Sequence, residues 1–329
     1  MDSESRRRWL DRTWSAVLAQ LRKSPVALFL SYLYPQQIDV GAVAEIHRRG
    51  IPCVNFFCDN VREFRRPPKE FSAFDLNWVP EFEALPMYRR AGLAHVHAPM
   101  PAWVAPAWRS APAVEREPPT FIGSADALRR NLLGQALAAG AELRIRGAAW
   151  RTEAASAPVG HGIGIKVHNQ LALFRARGWR PIAAKLTDQF WSRDAPAIPP
   201  QALHAPVSED EYLRVTREAI VTLGINRVPV TDRPLRWPLR YSRQRDIEAP
   251  MLGACYLTEH TEGLASLYEI GREVESYASA EELASKLAAL TQDPAHRARL
   301  RRAGQQRALA QHTVGASVLK ITRILGLAR

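Results

Sequence analysis

The stretch from Arg245 to Glu259, RDIEAPMLGACYLTE, limits the possible folds more than any other part of the chain. It reads as a helix start, a stop at Gly253 and a short apolar strand ending in Thr258 and Glu259. A polar loop spanning Thr258 to Glu262 follows. Helix, glycine and buried strand in that order form part of an α/β unit with a parallel sheet. Such sheets hold ligands at the carboxyl ends of strands and the amino ends of helices. Arg245 and Glu248, three positions apart, share one helical face. The pair suits a nucleotide sugar, with the cation toward phosphate and the carboxylate accepting from ribose hydroxyls.

The rest of the chain alternates in the same way. Strands are expected at Val26–Leu33, Pro52–Cys58, Phe74–Val79 and Leu93–Ala98, with helices at Val40–Arg49 and Glu81–Ala91. This is a half-domain of the Rossmann kind without a GxGxxG fingerprint, so a dinucleotide site is not expected. Six prolines between residues 99 and 119 suit an interdomain linker. A second series follows, with strands at Thr120–Ile122 and Leu143–Arg146 around a helix at Ala127–Ala139. An inserted helix near Val167–Arg177 and a helix at Glu209–Ile220 come next, and residues 226–244 read as a basic loop. Helices at 280–291 and 294–309 close the domain, and Val314–Leu325 is placed to cross back to the first half. The fold class is therefore α/β, with two Rossmann-like domains over residues 1–110 and 111–310 and a returning helix over 311–329.

A length of 329 residues lets each domain bury a real core, and 47% hydrophobic residues fit a globular protein. No apolar run is long enough to span a bilayer, and no signal-peptide core follows the charged N-terminus. Three cysteines without CxxC spacing fit a reduced cytoplasm rather than a disulfide framework. The net charge of +12 asks for anionic partners such as nucleotide diphosphates, lipid headgroups or nucleic acid. No nucleic-acid recognition motif accompanies it, so specific nucleic-acid binding is the minor reading. Near the start, Leu10, Trp14, Val17, Leu18 and Leu21 share a helical face flanked by Arg6, Arg22 and Lys23. That face suits either peripheral contact with an anionic membrane or, by preference, packing on the neighbouring sheet. The nine histidines show neither HxxxH nor HExxH spacing, so no metal is expected.

The run Arg243-x-Arg245-Asp-Ile-Glu248-Ala-Pro-Met-x-Gly253, then Tyr-Leu-Thr-Glu259, Gly271-Arg-Glu273 and Tyr277, resembles the CgeB-like group of glycosyltransferases. The likeness continues through Ser279-Ala-Glu281-Glu282, Asp293-Pro, Gly304 and His312-Thr313, and reaches back to Phe121-Ile-Gly123-Ser124 and Gly147-Ala-Ala-Trp150. The resemblance implies a GT-B glycosyltransferase that moves a sugar from a nucleotide-sugar donor to a glycan, lipid-linked or protein acceptor in bacterial surface polysaccharide or glycoconjugate synthesis. The nucleotide sugar would be a substrate, no cofactor is implied, and catalysis would be metal-independent. Against that pattern the first domain reads as incomplete, lacking an opening strand–helix–strand.

The resemblance also assigns roles. Glu248 would bind the donor ribose. Related retaining enzymes carry a second glutamate eight positions earlier, where this chain has Arg240. Arg243 and Arg245 would neutralise the donor diphosphate as the bond to the sugar breaks, with Arg245 the stronger candidate. The Gly123-Ser124 turn and the helix after it would hold phosphate, aided by Arg129 or Arg130. Thr258 and Glu259, with Thr261 and Glu262, would contact the donor sugar. Asp59, at the end of a buried strand, would orient the acceptor or assist proton removal, or else cap the next segment as an Asx turn. Gly160-His-Gly-Ile-Gly164 reads as a flexible linker rather than a phosphate loop. A rival of another class is a non-catalytic nucleotide-binding scaffold of a glycan assembly complex.

Overall fold

The computed structural model describes residues 3–110, 114–151, 196–230 and 234–327. The expected helix at Val167–Arg177 and the Gly160–Gly164 segment lie outside those residues. The chain forms two compact units, Met1–Pro101 with His312–Arg329, and Ala102–Gln311.

The first unit is built on four parallel strands in chain order, β1 (Phe29–Tyr32), β2 (Cys53–Phe56), β3 (Leu76–Val79) and β4 (His95–His97). Every residue of β2 and β3 is buried, as parallel strands covered on both faces must be. One face carries helix α1 (Ser3–Leu21), whose Trp14 is buried and donates its indole N–H to Gln37 O at 3.0 Å. Leu10, Val17, Leu18 and Leu21 pack on the same core. The apolar stripe of α1 thus packs on protein. Helix α2 (Val40–Arg48) starts where Asp39 accepts from Ala42 N at 3.0 Å, and α3 (Asn60–Glu63) follows β2. The expected helix at Glu81–Ala91 is split into a 3-10 turn, Phe82–Ala84, and α4 (Leu85–Arg90). Pro86 enforces the break, because it has no N–H to continue the α-helical bonds backward.

The second unit contains six parallel strands in the order β12-β11-β8-β5-β6-β7. These are β5 (Thr120–Ile122), β6 (Arg144–Arg146), β7 (Leu203–His204), β8 (Thr222–Gly224), β11 (Tyr256–Glu259) and β12 (Glu275–Tyr277). From β5 the chain runs outward to β7, returns to β8 beside β5, and runs outward the other way. That reversal makes β5 and β8 the topological switch point of the sheet, at whose carboxyl ends α/β folds receive ligands. Around the sheet lie α5 (Ala127–Ala138), α6 (Glu209–Glu218), α7 (Arg245–Met251), α8 (Leu264–Leu267), α9 (Ala280–Gln292) and α10 (Pro294–Gln311). Their inward faces, among them Leu132, Leu133, Leu283, Leu287 and Leu300, join Phe121, Leu223 and Leu257 of the strands in one core. Each such leucine contributes about 2 kcal/mol of transfer free energy.

Residues 226–244 are not simply a loop. They contain an antiparallel ribbon of β9 (Arg227–Val228) and β10 (Leu239–Arg240). Buried Arg297 and Arg301 of α10 both pair with Glu115, at 2.6 and 3.2 Å, and so tie the incoming linker to this unit. The last helix, α11 (Val314–Ile324), belongs to the first unit, with Ile321 buried among Val54, Trp78 and Val96. Among the described residues no helix is long and apolar enough to cross a membrane.

Candidate functional site

Helix α7 places its side chains around a buried carboxylate, Asp246, that sequence reasoning passed over. Asp246 accepts from Ser242 Oγ at 2.7 Å, Tyr256 OH at 2.7 Å, Thr258 Oγ1 at 2.8 Å and Asn226 Nδ2 at 2.9 Å. Burial pushes its carboxyl up, and the donors of Ser242, Tyr256, Thr258 and Asn226 pull it back. The network welds the start of α7 to the ends of β8 and β11. It therefore sets the direction in which Arg245 and Glu248, on the exposed side of the same helix, project.

Arg245 reaches the switch point directly. Its Nη1 donates to Ile122 O, the last carbonyl of β5, and its guanidinium lies 5.9 Å from the Phe121 ring and 5.8 Å from the Tyr212 ring. Glu248 Oε2 accepts from Tyr212 OH at 2.6 Å, so Tyr212 of α6 bridges the two residues that the helical spacing paired. Burial, and then the Glu248 carboxylate, hold the Tyr212 phenol above its usual range against the pull of Arg245. Tyr212 was not foreseen; it lies in an amphipathic helix with nothing in the sequence to connect it with Glu248.

Arg129 joins the same group. Its guanidinium is 5.8 Å from the Phe121 ring, and its Nη1 donates to Ser124 O at 2.8 Å. Burial lowers its proton affinity first; Asp126 opposes this, and the fields of Arg243 and Arg245 lower it further. Arg129 and Arg245 thus meet on the Phe121 ring at the carboxyl end of β5, and an anion there would relieve the field that they share with Arg243. Arg130 points elsewhere, donating to Ala149 O and, at 3.1 Å, to Trp150 O while lying 5.4 Å from the Trp150 ring. Of the two alternatives, Arg129 faces the arginine group.

Two expectations are corrected. Gly123 and Ser124 do not form the amino end of α5. That end is capped by Asp126, whose carboxylate accepts from Arg129 N at 2.9 Å. The Gly123 N–H is bonded to Arg146 O at 2.8 Å, and the Gly123 carbonyl accepts from Trp150 Nε1 at 2.6 Å. Gly147 makes this turn possible, because a Cβ there would stand 2.1 Å from Gly123 O at a φ of +149°. Second, Thr258 and Glu259 are strand residues with no exposed surface, and the loop begins after them. Glu259 Oε1 pairs with Arg227 and Arg240, both at 2.7 Å, and Oε2 accepts from the backbone N–H groups of Asn226 and Arg227 at 3.2 and 3.0 Å. It anchors the β9–β10 ribbon and has no lone pair directed at a sugar. Arg240, at the position of the related enzymes' second glutamate, is held by this pair.

In the first unit, Asp59 follows β2 with a left-handed backbone, φ 64° and ψ 23°. Its side chain makes no cap hydrogen bond to α3, so it does not act as an Asx cap, and it lies 3.9 Å from Arg62. Beside it, buried Glu81 receives Asn60 N at 2.9 Å and Asn60 Nδ2 at 2.7 Å, and Tyr88 OH donates to Asn60 Oδ1 at 2.8 Å. Burial raises the Glu81 carboxyl to about 7, although the Asn60 donors oppose it. Sequence reasoning placed Glu81 at a helix start and missed this network, because its members lie 21 to 28 positions apart.

Residues 129–322 match the model of the glycosyl transferase-like family. Among solved structures, Anabaena HepE in complex with UDP superposes with a TM-score of 0.57 at 10% identity, over 95% of this chain and 81% of that one. Sucrose-phosphate synthase of Thermosynechococcus elongatus gives 0.51 at 15% identity, over 99% and 79%. AviGT4, a glycosyltransferase involved in avilamycin A biosynthesis, gives 0.52 at 13% identity, over 95% and 76%. These likenesses show the fold, that of GT-B glycosyltransferases. No curated protein sequence matches the chain.

Proposed function

The chain belongs to the glycosyl transferase-like family, and we propose that it transfers a sugar from a nucleotide-sugar donor to a glycan, lipid-linked or protein acceptor. The observation that carries this reading is the meeting of Arg245 and Arg129 on the Phe121 ring, with the Tyr212–Glu248 pair, beside the end of β5. The finer assignment, to a CgeB-like enzyme of bacterial surface polysaccharide or glycoconjugate synthesis, rests on the sequence pattern around α7. A cytoplasmic location agrees with three free thiols.

In this reading Glu248, oriented by Tyr212, accepts from the ribose hydroxyls. The acceptor hydroxyl attacks the anomeric carbon, the bond from that carbon to the diphosphate oxygen breaks, and the hydroxyl proton is lost. Negative charge grows on the departing phosphate, and Arg245, Arg129 and Arg243 stabilise it more in the transition state than in the bound donor. Guanidiniums serve where other enzymes use a metal ion, which is our basis for a metal-independent transfer. Asp59 is assigned to the acceptor hydroxyl, as orienting group or base.

Titration with UDP, GDP, dTDP and CMP, by calorimetry and thermal shift, tests the donor site. One nucleotide is expected to bind saturably, and Glu248→Ala to weaken it about tenfold or more through lost charge-assisted hydrogen bonds. A folded chain that binds none of the four would refute the enzyme reading. HepE was solved with UDP, which makes UDP the first nucleotide to try. One observation favours a second reading, a non-catalytic nucleotide-binding scaffold: Arg240 stands where a second carboxylate is expected and is fixed by Glu259. Nucleotide binding without release of nucleotide diphosphate from any nucleotide sugar would select the scaffold.

A further inference from the structure

In the first unit, His47, Cys53 and Asp75 come together, although no linear spacing in the sequence pairs them. His47 lies in the last turn of α2, Cys53 opens β2, and Asp75 immediately precedes β3. One donor atom from each lies within 4.8 Å of the other two. His47 Nε2 is 2.9 Å from Asp75 Oδ2, and the same Oδ2 accepts from Cys53 N at 2.7 Å. The His47 Nε2 atom is shielded from solvent, and Asp75 Oδ2 is the polar atom that faces it. Cys53 is fully buried, while the His47 and Asp75 side chains are about one-third exposed, at 34% and 40%. The sulfur is thus the deepest of the three donor atoms, and the imidazole and carboxylate lie nearer solvent.

We propose that His47 Nε2, Cys53 Sγ and an Asp75 carboxylate oxygen bind one divalent transition-metal ion of the zinc class, with water as the fourth ligand. The ligand chemistry selects the ion: thiolate and imidazole favour zinc, cobalt or nickel over magnesium or calcium. Charge balances as well, because one thiolate and one carboxylate cancel the dication when His47 is neutral. Tetrahedral bonds to nitrogen, oxygen and sulfur place the donor atoms roughly 3.5 Å apart. The longest separation needs to close by about an ångström, which is within reach of side-chain torsions. In the metal-free protein the Cys53 thiol donates to Ile51 O at 3.5 Å. Binding the ion forms a metal–sulfur bond and releases that proton to solvent.

The site lies at the amino ends of β2 and β3, whereas Asp59 follows the carboxyl end of β2. Its role is structural: the ion fastens the end of α2 to two central strands and takes no part in sugar transfer. Cobalt titration of the untagged, chelator-treated full chain tests this. The expected result is one ion per chain, a thiolate-to-cobalt absorption in the near ultraviolet, displacement by zinc and indifference to magnesium. Cys53→Ser is expected to abolish the absorption and Cys58→Ser to leave it intact. Because Cys53 is a core residue, His47→Gln at a one-third-exposed position provides the second arm, with a loss of affinity of about tenfold or more in a variant that melts normally. Absence of saturable binding, an absorption that survives Cys53→Ser, or unchanged affinity in His47→Gln would overturn the assignment.

Discussion

Raising the pH from about 5 to about 8 forces a charge onto Glu81, a carboxyl that is only 1% exposed. Its displacement from 4.5 to about 7 corresponds to about 3 kcal/mol at roughly 1.4 kcal/mol per tenfold change in proton affinity. The folded unit holds this proton more tightly than the unfolded chain does. The stability it contributes is thus fully present below about pH 4.5 and is lost as pH rises through about 7. His97 works in the opposite sense. Burial lowers its proton affinity, so it favours the fold at higher pH. The wild-type profile is the sum of both, and only a difference between variants isolates Glu81.

Glu81→Gln supplies that difference. Glutamine cannot ionise, but in either orientation its amide sets an N–H against a donor of Asn60, which uses both its N–H and Nδ2 on Glu81. Asn60 is not free to turn its amide over, because Phe57 O accepts from Nδ2 at 2.6 Å and Tyr88 OH donates to Oδ1. Relative to wild type with Glu81 protonated, the variant therefore loses about 1–3 kcal/mol. At low pH it is less stable than wild type by that amount, and toward pH 8 the gap closes as wild type gives up its advantage. Hydrogen exchange of peptides covering β2 and β3, corrected for intrinsic rates, reads the opening free energy of this unit alone. A gap that stays constant across the range would refute the reasoning.

Gly147→Ala is expected to lower stability by about 2–4 kcal/mol, because the new Cβ would press on the Gly123 carbonyl at a backbone angle alanine avoids; calorimetric melting checks it, and an unchanged melting temperature would contradict the close approach. Glu259→Gln is expected to cost about 3–5 kcal/mol, since it leaves Arg227 buried without its counter-charge and releases the β9–β10 ribbon. A loss below about 1 kcal/mol in urea unfolding would show that the ribbon does not depend on that pair.

What could be read from the sequence was what each segment decides for itself. Gly253 stops α7 because its φ of +74° suits the residue after a helix, and apolar CYL before TE marks a buried strand whatever surrounds it. Strand β5 and helix α5 were legible for the same reason. What could not be read depends on partners distant in sequence. Arg245 meets Ile122 across 123 positions, and Tyr212 meets Glu248 across 36. Nor does local pattern distinguish Arg129 from Arg130, adjacent arginines whose directions are fixed by Phe121 and Trp150.

Glu259 shows the limit most clearly. A carboxylate at the end of a buried strand ordinarily faces a ligand or water, and it faces the core only when cations come in to meet it. Here those cations sit on a ribbon formed from residues that read as loop, so the error about the loop became an error about the glutamate. Asp246 teaches the converse. Buried beneath four side-chain donors, it touches nothing outside the protein, yet without it Arg245 and Glu248 would have no fixed direction. Functional groups on a short helix such as α7 are therefore best sought by first finding the buried polar residue that orients the helix.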